Sequence, residues 1–526
     1  MDRYTAGHRR GVVCAPHFAA AEAGRAVLAE GGNALEAMVA MAAMIAVVYP
    51  HMNHLGGDGF WVVHEPSGKV RALMAGGAAG ARATLAHYRD AGHDRIPTRG
   101  PLAALTVPAA VAGWMLALEA AKAQGGRLPV SDLLATAIKQ ARGGVEVSRH
   151  LALTIADASR ELKDVPGFAE TFLIDGKPPL QGARLHPSAL AETLDQLAHV
   201  GLDDFYRGDI GREIAADLER VGSPVTRADL ERCRAAEAAP LSVAISAGTL
   251  WNTAPPTPGL MALMILALYD RLGVKEAESF DHLHGLIEAA KRAMAVRDRV
   301  LTDPARLPHP LDRYLTPAFL DAEAAAIDRR KAAPWKAPEE VGDTIWMGAA
   351  DASGLVVSYI QSLYWEFGSG VVLPRTGIVM QNRGMSFSLD RRALNVLEPG
   401  RLPLHTLCAA LAVLRDGRVM AYGSMGGDAQ PQVQAAVFSR HVFHRQPLDQ
   451  AIEGSRWYVG KTWGKPIGNL VVEARLDGNL IERLMSAGHD VVLTDAIGHA
   501  GAVVLHPDGS MEGAHDPRAD GGAAGV

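Results

Sequence analysis

Residues 344–370 read TIWMGAADASGLVVSYIQSLYWEFGSG. The run opens as an apolar strand at Thr344, breaks at the turn Asp351-Ala352-Ser353-Gly354, resumes as a strand over Leu355–Gln361, and ends in the glycine loop Phe367-Gly368-Ser369-Gly370. Downstream, the pattern predicts a strand over Gly377–Gln381, a helix near His405–Leu414 and a hairpin turn at Arg415-Asp416-Gly417-Arg418. A strand over Met420–Tyr422 and a second glycine loop, Gly423–Asp428, lead into a helix. Upstream of Gly342 the texture differs. Helical spacing dominates Cys14–Glu30, closed by Gly31-Gly32-Asn33, and continues to Val48, where Pro50 stops it. After the glycine loop His51–Gly59 come short strands at Phe60–Val63 and Val70–Met74. Helices are expected in Ala103–Ala121, through Leu128–Thr193 and Asp203–Glu219, after the Pro255–Gly259 break, and over Phe280–Val300. Leu241–Leu250 reads as strand, and Pro334 and Pro338 bracket an exposed linker. A helix-rich first part therefore meets a strand-rich last part just before Thr344.

Composition bounds the function. The chain has 526 residues, 48% hydrophobic and 21% charged, enough for a large core and two to four structural units. With 52 Lys and Arg against 58 Asp and Glu, the net charge of −6 argues against a nucleic-acid binder. Three scattered cysteines, Cys14, Cys233 and Cys408, are too few for a disulfide framework and suit a reducing compartment. The N-terminal MDRYTAGHRRG has no apolar core of a secretory signal, and Ala34–Pro50 is too short to span a bilayer. The expectation is a cytoplasmic protein with no membrane partner.

Standard site motifs fit poorly. Gly460-Lys461-Thr462 resembles the end of a phosphate loop, but Ser455 stands where a glycine is required, and Gly57-Asp58-Gly59 lacks a third glycine. His51, His54 and Asp58 lie on a glycine loop, and His282 and His284 are two apart, so no metal and no cofactor are expected. No Gly-x-Ser-x-Gly elbow occurs. Gly423-Ser424-Met425-Gly426-Gly427 fits either a tight turn or a cradle of N–H groups around an anion.

Taken in order, these pieces resemble the γ-glutamyltransferase family of N-terminal-nucleophile hydrolases. Carrying the resemblance are Cys14–Ala40 with its GGNALEA segment, Tyr49–Met52, Leu55–Phe60, Thr106-Val107-Pro108 with Ala112-Gly113, Pro255–Gly259 and Arg297–Pro304. It continues through Gly342–Asp351, Phe367–Gly370, Gly423–Gly427 and Asp516-Pro517-Arg518. The resemblance implies an α/β (α+β) fold, a four-layer αββα sandwich. It also implies a precursor that cuts itself between Asp343 and Thr344 into a large chain, 1–343, and a small chain, 344–526. The two chains would form a heterodimer, which could pair into a dimer of heterodimers. Thr344 would be the nucleophile, Gly426 and Gly427 the oxyanion donors, and Ser362 the hydroxyl beside the catalytic amine. The chemistry is coherent. A threonine hydroxyl is a weak nucleophile at neutral pH, and the α-amino group created by the cut, with an ordinary pKa near ~7.7–8.0, can act as its base.

Departures from the family pattern bear on the substrate. Glutamyl-processing members grip the α-carboxylate with an arginine where this chain has Gly76, and hold the α-amino group where it has Arg383 and Ser386. Paired serines are replaced by His405 and Thr406, and a nearby asparagine by Tyr364. Trp346 and Trp365 add bulk close in sequence to Thr344, suggesting a small pocket. An arginine in place of an ammonium-binding group favours a carboxylate. The pattern resembles an oxamate amidohydrolase-like branch, which implies a small-molecule amide as substrate, conversion of oxamate to oxalate and ammonia, and a place in purine metabolism. Arg383, with His405 or His54, would hold the carboxylate. The alternatives are a γ-glutamyl hydrolase or transferase, an acylase, or an unprocessed inactive binding protein.

Overall fold

The computed structural model describes residues 4–335, 343–460 and 469–526. Pro338, Gly342, Lys461 and Thr462 lie outside the described residues. The strands of the two large sheets are, in chain order, Thr5–His8 (β1), Gly11–Ala15 (β2), Asp58–His64 (β3), Val70–Ala75 (β4), Ala236–Ala238 (β5), Leu241–Ile245 (β6), Gly248–Asn252 (β7), Asp343–Asp351 (β8), Val356–Tyr364 (β9), Ala410–Leu414 (β10), Val419–Ser424 (β11), Ala500–Leu505 (β12), Met511–His515 (β13) and Gly522–Gly525 (β14). One seven-stranded sheet runs β14-β2-β8-β9-β3-β4-β5, the other β1-β13-β12-β11-β10-β7-β6. Every neighbouring pair within them is antiparallel.

Helices cover both outer faces. Phe18–Ala29 (α1), Ala34–Val48 (α2) and Ala110–Ala123 (α3) pack on the first sheet. Gly259–Leu272 (α4), Phe280–Val300 (α5) and Gln430–Phe438 (α6) join the core on the second. A third core lies between the sheets, built from Val12, Phe60, Ile360, Leu411 and Val503 around Trp346. The four layers are therefore α, β, β and α, as the resemblance implies. Helix α2 is buried along its whole length, which its uniformly apolar sequence dictates, and Asn33 with Glu36 closes a capping box at its start.

Three sequence expectations are corrected. Cys14 and Ala15 close strand β2, and the helix starts only at Phe18. The helix expected near His405–Leu414 is instead strand β10, because its Ala- and Leu-rich run is buried from both sides between the sheets and α4. Trp346 does not narrow a pocket. Its indole lies between the sheets across Gly348, Gly423 and Gly501, where an added Cβ would come within 2.7, 2.0 and 2.8 Å of ring atoms, and its Nε1 donates to Ser358 Oγ at 2.9 Å.

Candidate active site

Thr344 sits one residue into β8 and is fully buried. Asp343 pairs with Tyr364 and Ile345 with Gln361, so Thr344 alone faces both Ser362 and Leu363. This bulge bends the end of β9 over the threonine. Tyr364 completes the bend at φ 88°, and its N–H donates to Ser362 Oγ at 2.8 Å. A left-handed tyrosine is a strained conformation, and strain of this kind clusters at functional sites.

The second sheet supplies the other wall. Strand β11 ends at Ser424, and the chain turns through Gly426 (φ 105°) and Gly427 (φ 51°) into a helical run that continues as α6. Residues that open a helical run have no carbonyl upstream to receive their N–H groups, which suits them to an oxyanion. The turn is pinned from outside. Arg297 Nη1 donates to Asp428 Oδ1 at 2.5 Å, both side chains being buried, and Gln432 Nε2 donates to the Asp428 and Val459 carbonyls, each at 2.8 Å.

Arg383 is fully buried beside the end of β9. Its Nη1 donates to Thr406 Oγ1 at 3.2 Å, its Nη2 reaches Ser362 Oγ at 3.5 Å, and its guanidinium lies 3.9 Å from the centre of the Tyr364 ring. Behind it, His405 Nε2 stands 3.4 Å from Asp58 Oδ2. Asp58 Oδ1 accepts from Gly77 N at 2.9 Å and Gln381 Nε2 at 3.1 Å. Burial pushes the Asp58 carboxyl up to about 7, opposed by the Arg383 charge and these hydrogen bonds. Burial, reinforced by Arg383, holds His405 well below the ordinary histidine range.

Thr344, Ser362, Tyr364, Arg383 and Thr406 thus form one connected group, with His405 a layer behind. Ser386 acts at a distance, its Oγ donating to the Leu404 carbonyl at 3.0 Å and so fixing the segment that carries His405 and Thr406. His54 turns elsewhere: its Nδ1 accepts from Val379 N at 3.2 Å, and its ring borders Val47, Val145 and Leu151 under the first sheet. Trp365 lies under the Arg99 guanidinium, 5.1 Å from its ring centre. A Cβ on Gly76 would stand 3.2 Å from Phe60 and 3.4 Å from His405 Nε2, so a long side chain there would need both to move.

One residue in contact with the site was missed in sequence. Gln430 Nε2 donates to Thr344 Oγ1 at 3.0 Å. The helix-start proline after it, Pro431, is the signal that could have placed it beside the glycine pair.

The histidines singled out in the sequence go to separate partners. His51 Nε2 meets His150 at 3.0 Å, and His282 Nε2 meets Ser439 Oγ at 2.9 Å. His284, Glu288 and His489 are buried with donor atoms within 4.8 Å of one another. There His284 hydrogen-bonds His489 at 2.9 Å, and Glu288 pairs with Lys291 at 2.7 Å.

The description Gamma-glutamyltranspeptidase belongs to a family model that matches residues 20–526. The chain is 51% identical over 520 residues to an oxamate amidohydrolase proenzyme of Klebsiella pneumoniae, covering 98% of each chain. It is 36% identical to a glutathione hydrolase-like YwrD proenzyme of Bacillus subtilis, covering 100% of both. In three dimensions it is similar to a cephalosporin acylase from Bacillus halodurans, with a TM-score of 0.90 and 29% identity, over 100% of this chain and 97% of that one. A match from Ala20 to the last residue, on a four-layer frame that brings Thr344 to the glycine turn, means that the chain belongs to the gamma-glutamyltranspeptidase family.

Proposed function

We propose that this chain is the precursor of an amidohydrolase that cuts itself between Asp343 and Thr344 and then hydrolyses a small carboxylate-bearing amide, with oxamate as the substrate and oxalate and ammonia as the products. The observation that carries this reading is the buried Arg383 guanidinium, held between Ser362 and Thr406 beside the nucleophile. A fork of N–H donors in that position recognises a carboxylate one carbon away from the scissile carbonyl. The 51% identity to an oxamate amidohydrolase proenzyme supports the same choice.

In this mechanism the cut gives Thr344 an α-amino group. That amine takes the proton from Oγ as Oγ bonds to the amide carbon, and the charge that builds on the carbonyl oxygen is received by the N–H groups of Gly426 and Gly427. Loss of one such donor costs about 2.7–4 kcal/mol of transition-state stabilisation. The proton then passes to the leaving nitrogen, ammonia departs, and water attacks the threonyl ester to release the dicarboxylate. Residues 1–343 and 344–526 remain together as a heterodimer, since strands β8 and β9 of the small chain are flanked by β2 and β3 of the large one. The three cysteines, all free thiols, support a cytoplasmic setting, and release of ammonia from oxamate suits a role in purine nitrogen breakdown.

A second reading, an acylase for larger side chains, is favoured by one feature. A cavity of about 610 Å³ lies against Phe60, Gly76, Pro256 and Leu402, and the Phe60 ring packs edge-on against His405 with centres 4.8 Å apart. One experiment separates the readings. Processed protein is assayed for ammonia from oxamate, for hydrolysis of γ-glutamyl anilides and for hydrolysis of glutaryl amides. Ammonia from oxamate alone is the expected result; turnover of the larger amides without it would replace the proposal with the acylase reading. A single 526-residue band on a denaturing gel, with no activity, would leave only a binding protein.

A further inference from the structure

We infer that Gln430 is a catalytic residue of this site, which donates a hydrogen bond to the nucleophilic oxygen both in self-cleavage and in turnover. The inference rests on the reading of Thr344 as the nucleophile.

The geometry determines which end of the amide faces the threonine. Gln430 Oε1 accepts from the Cys408 N–H at 3.1 Å. A backbone N–H can only donate, so the oxygen must face Cys408 and the NH2 must face Thr344 Oγ1, 3.0 Å away. The side chain is also held in place. Gln430, Cys408 and Thr344 are all fully buried, and Ser424 Oγ donates to the Gln430 carbonyl at 3.2 Å. One turn further along α6, Gln434 Nε2 donates to the Cys408 carbonyl at 2.8 Å, so the same helix grips both sides of that residue.

Two consequences follow for the chemistry. An NH2 group aimed at Oγ cannot take its proton, so the hydroxyl hydrogen is turned towards another acceptor. In self-cleavage Oγ bonds to the Asp343 carbonyl carbon, the bond from that carbon to the Thr344 nitrogen breaks, and the proton from Oγ goes to that nitrogen. Water then opens the ester. In turnover the α-amine takes the same proton. In both, negative charge grows on Oγ as the proton leaves, and a fixed N–H donor stabilises it, alongside the two glycines that act on the other oxygen.

The test uses the full-length precursor with Gln430→Glu, Gln430→Met and Thr344→Ala. Glutamate keeps an oxygen for the Cys408 N–H but, once ionised, offers Thr344 no hydrogen. The expected result for Gln430→Glu at pH 8.5 is a drop of about 100- to 1,000-fold in the rate of processing and in kcat, with KM within about twofold, and a lower melting temperature at that pH than at pH 6, because the buried carboxylate is then charged. The defect should shrink towards pH 6, where a protonated carboxyl can donate again. Gln430→Met should be as slow without that pH trend, and it carries the test if the glutamate variant does not fold. Processing and kcat within about twofold of the parent in either folded variant would overturn the inference. Cleavage at residue 343 in Thr344→Ala would instead overturn the nucleophile reading on which it rests.

Discussion

His405 Nε2 and Asp58 Oδ2 face each other at 3.4 Å, both side chains wholly buried, directly behind the Arg383 guanidinium. Burial raises Asp58 to about 7 and keeps His405 neutral, so near neutral pH the charge that balances Arg383 switches on and off with one proton. Above pH 7 the Asp58 carboxylate competes with a substrate carboxylate for the field of the guanidinium; below it, that competition is relieved.

KM for a carboxylate-bearing amide should therefore fall as the pH is lowered from 8 to 6, by roughly 3- to 10-fold. Asp58→Asn keeps the oxygen that accepts from Gly77 and Gln381 and should flatten the profile. The stability effect has the same sign. A carboxyl whose folded pKa lies above its unfolded value contributes stability that is complete below about pH 4 and is lost as the pH rises through about 7. Initial-rate ammonia assays at five pH values would measure the first effect; an unaltered slope in Asp58→Asn would assign the titration to another group.

Replacing Arg383 by lysine keeps the charge and removes the fork. Charge-assisted hydrogen bonds are worth about 1.5–3 kcal/mol each, so KM for oxamate should rise about 10- to 150-fold. A neutral amide of the same size should be affected far less. Comparing the two substrates on processed Arg383→Lys protein decides the matter, because equal losses on both would mean that the residue shapes the site without binding the anion.

Much of this architecture was legible in the sequence. The two strands around Asp351–Gly354 and the helix Phe280–Val300 follow from local pattern alone, and the element boundaries differ from the pattern by at most three residues. Strand β10 was not legible, since Ala410–Leu414 consists of residues that suit a helix equally well and only the flanking strands decide. In the candidate site, Thr344 and the glycine pair were marked by the family resemblance, and the structure sets Thr344 against Gln430, three residues beyond Gly427. The site was obscure where a common residue acquires its role from a distant partner. Gln430 and Thr344 are 86 positions apart, and nothing local marks a buried glutamine as a donor to a hydroxyl. His54 shows the converse: a histidine beside the key glycine loop is used up on the backbone of Val379.

Gly426 and its neighbour test backbone shape separately from space. A Cβ on Gly426 would meet nothing closer than Ala429 at 3.5 Å, an ordinary contact, yet its φ of 105° is one that an alanine adopts only with strain. Gly426→Ala should thus fold and pack normally while rotating its N–H away from the oxyanion. A fall of about 100- to 1,000-fold in kcat with little change in KM is expected. The ratio of kcat to KM effects from steady-state assays is the readout, and a variant that loses KM alone would remove the glycine turn from the chemistry.

Trp346 provides the last test, because bulk near the nucleophile in sequence lies in the core in space. Its ring fills the gap left by Gly348, Gly423 and Gly501, and its Nε1 satisfies Ser358 Oγ. Truncation to alanine should cost about 3–5 kcal/mol through the cavity, and the Ser358 hydroxyl would lose its partner as well. Trp346→Phe should cost less and leave KM for every amide unchanged, since the indole packs in the core between the sheets. Thermal melts paired with KM values on oxamate and a glutaryl amide would show this. Were the phenylalanine variant to gain activity on the larger amide at an unaltered melting temperature, the ring would belong to the pocket wall and the inter-sheet placement would have no bearing on specificity.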